Sequence, residues 1–424
     1  MSFLHNSRRP HLHLVALLTL LTPTLAQATN GYFSNGYGAI SQGIAGIGIA
    51  LPLDGLAAAS NPAGTALVGD RTDLGIDLFR PKREATISGN GFGANGNYDG
   101  NGKKNFFIPD LALTKQISST TGLGLAVYGN GGMNTDYKTN PYGAFGSTGH
   151  AGVNLSQLFI TPSLAYRVTP KHSVGLALNV AYQRFKAYGL SAFDNPVFSS
   201  SPGNVTDRGA DSSTGVGVRL GYIGEILPDV TLGLTWASRI RTGKLDRYKG
   251  LFANEGGFDV PENYGIGLSY RPTSSLTLAL EGQHINYSDI NSIATPLAGL
   301  LSGNKLGSAN GPGFGWKDVT VWRVGASYDV NSTLTLRAGY SHSDQPIPQG
   351  QTFFNILAPA TVRDHLTFGA TWKASASNEI SAFYAHGFRE TVKGSGSIPA
   401  AFGGGEANIS LEENILGLSW GHKF

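Results

Sequence analysis

The chain has 424 residues, a net charge of +3, no cysteine and 59 glycines, with 14% charged and 10% aromatic residues. The charge is too small to argue for a nucleic-acid partner, and the lack of cysteine removes disulfides, thiolate metal sites and cysteine nucleophiles. No stretch after residue 28 is apolar for long enough to form a transmembrane helix, whereas abundant Gly, Thr, Ser and Tyr favour β structure with one crowded face of small side chains.

At the amino terminus, Arg8 and Arg9 precede an apolar run from Leu14 to Leu21, Pro23 breaks any helix, and Ala26-Gln27-Ala28 offers small residues to a signal peptidase. Residues 1–28 therefore read as a cleaved secretory signal peptide. Residues 29–71 are rich in Gly and Ala with no period of two, and carry Leu51, Leu53, Leu56 and Leu67 as apolar surface to bury. That composition predicts a compact segment of short helices and turns, small-sided enough to fit inside a barrel.

From Thr72 onward the sequence divides into alternating segments predicted as strands at 72–88, 106–116, 121–131, 155–168, 171–188, 212–227, 229–246, 260–271, 274–290, 317–329, 332–343, 363–375, 377–391 and 410–424. Their connections alternate between tight turns, such as Thr169-Pro170 and Pro272-Thr273, and long polar loops, such as 132–154 and 291–316. That rhythm, with an even strand count of about 14, is the signature of a transmembrane antiparallel β-barrel with short periplasmic turns and long outer loops. Phase agrees: Val174, Leu176, Leu178, Val180 and Tyr182 oppose Gly175, Ala177, Asn179 and Gln183, and the apolar set belongs against lipid. Tyr166, Trp236, Tyr270, Trp322, Tyr328, Trp372 and Trp420 fall near strand ends, where an interfacial girdle is expected. Arg167, Arg239, Arg323, Arg337 and Arg389 take the inward phase, with Asp54, Asp70 and Glu281 as candidate counter-charges. No H-E-x-x-H or Walker loop occurs, and Gly417-Leu418-Ser419-Trp420-Gly421, though it fits G-x-S-x-G, lies inside the alternating terminal strand with no helix after it, so no enzyme, metal or cofactor chemistry is indicated. The last strand should close the barrel against 72–88 and ends on Phe424.

Asn61-Pro62-Ala63, Thr161-Pro162-Ser163-Leu164-Ala165-Tyr166-Arg167 leading into Leu176 to Val180, Gly315-Trp316-Lys317-Asp318, and Leu336-Arg337-Ala338-Gly339-Tyr340 followed by Asp344-Gln345-Pro346-Ile347-Pro348, with terminal Phe424, occur in this order along the mature chain. In order and spacing the chain resembles the FadL-type transporters of fatty acids and hydrocarbons in the bacterial outer membrane. The resemblance implies a barrel over 72–424 plugged by an amino-terminal helical hatch over 29–71. It further implies passive uptake of a hydrophobic small molecule, without ATP: capture by loops, an internal pocket, hatch movement and sideways release where the third strand kinks inward. By that analogy Gly129, Gly131 and Gly132 would form the kink, although the same glycines could merely open a loop. Asn61, Pro62 and Ala63 would be the hatch contact with the kinked wall, or else an Asn-Pro turn.

A fatty acid would want a cation at one end of an apolar pocket. Lys317, in the Gly-Trp-Lys-Asp match and in phase with Val319, Val321 and Arg323, ranks first. The family also places basic residues near Arg184 and Lys186, but their parity follows Val180 and Tyr182. Without a bulge they point outward, toward lipopolysaccharide phosphates, and Phe185, of opposite parity, is the expected pocket-lining residue. Apolar loop residues Phe252, Leu297, Leu300, Leu301, Phe353, Phe354 and Leu357 could form a collecting surface. In such barrels a terminal aromatic resembles the signal read by the assembly machinery, which assigns Phe424 to biogenesis. The competing functions are a general diffusion porin and an adhesin-like outer-membrane protein.

Overall fold

The computed structural model describes residues 30–424, so the signal-peptide reading of residues 1–28 lies outside the described residues. Fourteen long antiparallel strands close on themselves: β1 Arg71–Ser88, β2 Phe106–Gln116, β3 Thr121–Asn134, β4 Gly152–Thr169, β5 His172–Tyr188, β6 Asp211–Leu227, β7 Val230–Ala237, β8 Asn263–Tyr270, β9 Leu276–Ile285, β10 Val319–Asp329, β11 Leu334–Ser343, β12 Asp364–Lys373, β13 Asn378–Val392 and β14 Glu406–Lys423. A further four-residue ribbon, Gly96–Asp99, pairs only with the outer part of β1. Each strand pairs with its sequence neighbour, and β14 returns to β1 from Arg71↔Lys423 to Ser88↔Glu406. The closing strand is therefore where its alternation placed it.

Closure is what allows a sheet to stand in lipid, because no backbone edge is left to hydrocarbon. The outer face carries the apolar phase: Leu74 and Ile76 of β1, Val174, Leu176 and Leu178 of β5, and Leu416 and Leu418 of β14 are all exposed. Tyr166, Tyr270, Tyr328 and Trp372, also exposed, lie close to the ends of their strands that run into the short turns, and exposed Trp420 lies near the end of β14 on the same side. This is the aromatic girdle of one interface.

Several strands end earlier than alternation alone predicts. β7 stops at Ala237 and β9 at Ile285, after which a 3-10 turn, Tyr287–Asp289, begins. Arg239 lies past the end of β7 and is exposed, paired with Asp259 at 2.7 Å. Arg389 lies within a bulge between Gly387 and Glu390 that resets the phase of β13, and it meets Glu84 on the outer side. Both depart from the inward orientation predicted for them, because a period-two argument does not survive the end of a ladder or a bulge.

Residues 30–70 fill the lumen as turns, the short helical segments Ala39–Gln42 and Ala57–Ser60, and the 3-10 turn Pro62–Ala66. Their hydrogen bonds reach strands around the circumference: Gln42 Nε2 to Asp77 at 2.6 Å, Ala45 N to Thr367 Oγ1 at 2.8 Å, and Gly55 N to Asp73 at 2.9 Å. The Glu281 carboxylate on β9 accepts from the successive amides of Gly48, Ile49 and Ala50, at 2.9, 2.5 and 3.3 Å. Of the inward arginines, Arg323 donates to Gln283 Oε1, Arg337 to Thr371 Oγ1, and Arg167 to the Ala66 carbonyl. Asp70 pairs instead with Lys115.

Candidate functional site: the break in the wall and the apolar cavity

The barrel wall is not uniform at β3. β2 pairs with β1 along Phe106–Thr114, but with β3 only over Leu111↔Val127 to Gln116↔Gly122. Beyond Val127 the partner of β2 is gone, and Phe106–Asp110 keeps β1 alone. On its other side β3 stays with β4, through a bulge between Gly129 and Gly131. Residues Tyr128 to Asn134 are then all buried, with no alternation. A strand whose consecutive residues are all buried has left the lipid face and turned into the lumen. The glycines at 129, 131 and 132 lie within this buried run of the strand, at and just after the bulge.

The amino-terminal segment takes the place β2 vacates. Phe33 bridges Gly131, the Gly132 amide donates to the Tyr32 carbonyl at 2.9 Å, and the Ser34 amide donates to the Asn130 carbonyl at 3.0 Å. Tyr37 Oη adds a bond to Asn130 Oδ1 at 3.0 Å. A β-carbon on Gly131 would stand 1.8 Å from the Tyr32 carbonyl oxygen, so only glycine admits this approach. The contact with the kink is made by Tyr32, Phe33, Ser34 and Tyr37. Asn61, Pro62 and Ala63, expected there, dock elsewhere: Asn61 Nδ2 bonds the carbonyls of Ile49, Tyr222 and Leu234 at 2.8, 3.0 and 3.1 Å, and Ser173 Oγ bonds the Ala63 carbonyl at 2.9 Å. Asn61 also accepts from the Ala63 amide, which makes it the cap of the 3-10 turn.

Above the amino-terminal segment the long loops fold inward over an apolar cavity of about 50 Å³. Phe185, Phe193, Phe252, Phe314 and Phe354 line it with Leu190, Leu251 and Leu357, and the remaining lining includes Tyr142 and Ser292 but no charged side chain. Phe185 is buried and packs edge-on against Tyr248 and Phe252, with ring centroids 4.9 and 4.6 Å away. Of the loop residues expected on a collecting surface, Phe252, Leu297, Leu300, Phe353 and Leu357 are buried and Phe354 is half-buried; Leu301 alone of that set is exposed. Phe252, Phe354 and Leu357 line the cavity, and Leu297, Leu300 and Phe353 pack into the same apolar cluster instead of an outer patch, since loops this apolar gain more from packing on each other than from facing water.

The basic candidates stand outside this cavity. β10 begins at Val319, so the inward phase of Val319, Val321 and Arg323 does not extend back to Lys317. The Lys317 side chain is exposed, and what fixes the residue is its amide, bonded to the Pro346 carbonyl at 2.8 Å. In the same motif Trp316 is buried, donating from Nε1 to Asn355 at 2.6 Å and packing on Tyr287 at 5.3 Å. Tyr287 in turn donates to the Asn30 carbonyl and accepts from the Tyr32 amide. The motif therefore ties the loops to the segment that contacts the kink. β5 has no bulge between Gln157↔Gln183 and Asn154↔Lys186, so Arg184 and Lys186 point outward as their parity requires.

Pattern reasoning missed Tyr32, Phe33 and Tyr287, and it missed Glu281 as the acceptor for the amides of residues 48–50. Their partners are distant in sequence and carry no local signal; Tyr287 and Asn30 are 257 residues apart. The run of unfilled lumen positions was the legible hint. Gly221, for example, has no room for a β-carbon because Asn61 Oδ1 would lie 1.9 Å from it.

A closed fourteen-stranded antiparallel barrel with an apolar outer face and a lumen filled by residues 30–70 is the architecture of an outer-membrane protein. Residues 19–420 match the model of the outer membrane protein transport protein family (OMPP1/FadL/TodX), and the chain belongs to that family. It is 24% identical over 313 residues to outer membrane protein P1 of Haemophilus influenzae; the match covers 66% of this chain and 65% of that protein, so it spans a little under two thirds of the relative's length. Among solved structures, the P. putida toluene transporter TodX aligns at 18% identity over 92% of this chain and 99% of its own, with a TM-score of 0.69. A Pseudomonas aeruginosa FadL homologue aligns at 17% identity over 93% and 100%, with a TM-score of 0.71. At these identities the likeness establishes the fold.

Proposed function

We propose that this protein carries hydrophobic compounds passively across the outer membrane, from a loop-capped cavity past the amino-terminal hatch to a lateral exit between β2 and β3. The observation that carries this reading is the loss of β2–β3 pairing beyond Val127, next to a lumen otherwise occupied by residues 30–70. A water-filled pore is of no use to a molecule that prefers lipid, whereas a gap in the wall delivers it to the bilayer directly. The cavity lining supports neutral, apolar compounds over carboxylates, since it holds no cation. At about 50 Å³ it is smaller than the roughly 150 Å³ that a benzene-sized guest needs, so uptake requires the loop aromatics to move.

The hatch is the second moving part. Part of its contact with the wall is hydrogen bonds, such as Ala45 N to Thr367 Oγ1 and Ser173 Oγ to the Ala63 carbonyl, which can be exchanged for others at modest cost. On the outside, Arg184 and Lys186 are exposed beyond Tyr182 near the long-loop end of β5 and are proposed to face lipopolysaccharide phosphates. Phe424, 77% exposed at the end of β14, is proposed as the residue the assembly machinery reads.

Reconstitution into proteoliposomes tests the reading. The expected outcome is accelerated uptake of a neutral hydrocarbon with no swelling in iso-osmotic sugars; rapid sugar permeation would instead identify a general diffusion porin and overturn it.

A further inference from the structure

A second, smaller cavity of about 20 Å³ lies where the kink meets the closing seam. Its walls are Phe79, Pro81 and Arg83 of β1, Gly132, Met133 and Asn134 of β3 beyond the bulge, Leu411 and Glu413 of β14, and the loop residues Ala358 to Ala360. Phe79 is the register partner of Phe106, the first residue of the run in β2 that has no β3 neighbour. The cavity therefore borders the break in the wall.

Glu413 is fully buried there, and its Oε2 lies 3.4 Å from Nε2 of His365, itself fully buried on β12. No donor among the described residues reaches Glu413 Oε1 or engages His365 Nδ1. Arg83 on the same wall does not help. Its guanidinium is spent on the Asn134 carbonyl and Oδ1 at 2.8 and 2.7 Å, on Asn101 Oδ1, and on the Lys103 carbonyl. Glu413 thus lines a small cavity beside the break in the wall with one buried carboxyl oxygen that no donor among the described residues satisfies.

We propose that Glu413, oriented by His365, is a polar subsite for the hydroxyl group of a hydrophobic alcohol or phenol. This rests on the uptake reading above and narrows it to compounds that carry one neutral donor on an apolar skeleton. A space of about 20 Å³ accommodates one hydroxyl-sized group, on the scale where a single water needs about 10–15 Å³. A carboxylate is disfavoured, because it would face Glu413 while the donors of Arg83 are already taken. An ammonium is disfavoured too, because the path leads into hydrocarbon, where a charge is costly. A hydroxyl donates to Oε1 and is lost to lipid at little expense. Glu413 acts here as a specificity residue, and His365 as its positioning residue.

The test uses the full chain in proteoliposomes with 4-ethylphenol and ethylbenzene, which differ by one hydroxyl. Glu413→Leu is expected to lower uptake of 4-ethylphenol about tenfold relative to ethylbenzene, while Glu413→Gln, which keeps an acceptor oxygen, retains most of it. Equal changes for both probes in Glu413→Leu overturn the assignment. If that variant fails to assemble, judged by heat-modifiable gel migration, the unmodified protein answers with 4-ethylanisole, which keeps the oxygen but has no donor. Preference for the phenol over the ether sustains the proposal; equal rates reject it. Uptake of ethylbenzene without such a preference would leave the transport reading standing and remove only this one, whereas no uptake of any probe removes both.

Discussion

The seams on either side of the β1–β2 hairpin are built from the same alternating residues, yet one is complete and the other is not. β1 and β14 pair through eighteen residues, Arg71 to Ser88, without a shift in register, whereas β2 and β3 pair through six, from Leu111 to Gln116. At the complete seam every second side chain faces lipid, and Arg71 on its inner side is held by Asp73 and Glu379, each at 2.5 Å. At the broken seam, three glycines within four residues remove the side chains that would hold β3 in the lipid face, and the backbone of Tyr32 to Ser34 supplies the hydrogen bonds that β2 no longer gives. Unpaired backbone in hydrocarbon costs several kcal/mol per group. The β2–β3 ladder therefore ends where another segment of the same chain takes over its hydrogen bonds.

This contrast can be broken first at its tightest contact. Gly131→Leu places a β-carbon against the Tyr32 carbonyl, a backbone obstacle that cannot rotate away. The expected cost exceeds about 4 kcal/mol, the range of conflicts that cannot relax, with the hatch displaced. Sugar leakage in liposome swelling, with faster proteolysis of residues 30–70, would report it; an intact seal would show that the kink does not depend on this approach. A smaller effect is expected at the far wall. Glu281→Ala leaves the amides of Gly48, Ile49 and Ala50 without their acceptor and should loosen the hatch by about 3 kcal/mol. Amide hydrogen exchange at those three positions measures it, and unchanged protection would count against the carboxylate as a latch. The smallest effect is expected at Lys317, which is exposed. Lys317→Ala should alter stability by no more than about 0.5 kcal/mol and leave uptake of a fatty acid and of a hydrocarbon alike. A selective loss of the acid would restore the carboxylate role that the sequence suggested for it.

How much was legible follows from which interactions are local. Strand number, closure, lipid phase and the girdle are properties of period two and of turn residues. They can be read because neighbours along the chain report them, as Val174, Leu176 and Leu178 do on β5. Arg184 and Lys186 obeyed parity for the same reason. Parity failed at Lys317, Arg239 and Arg389, where a ladder ends or a bulge intervenes, and neither event is marked in the sequence by more than a glycine. The glycines at 129, 131 and 132 could be read, but what packs on them could not: the family resemblance put Asn61-Pro62-Ala63 there, while the contact uses the backbone of Tyr32, Phe33 and Ser34, and backbone contacts leave no residue-type signature. The loop aromatics were recognised as apolar but placed on the outside, because alternation says nothing about how long loops fold back on one another.

The central claim, that hydrophobic compounds leave through the break between β2 and β3, is most directly tested by closing it. A β-carbon on Gly129 would lie 2.9 Å from Cγ2 of Ile108, so cysteines at these two positions fall within disulfide reach across the gap, and the chain has no other cysteine to interfere. With Ile108→Cys and Gly129→Cys combined, the account predicts that oxidation stops hydrocarbon uptake and reduction restores it, while the uptake of each single variant is the same in either redox state. Undiminished uptake with the cross-link fully formed would contradict it.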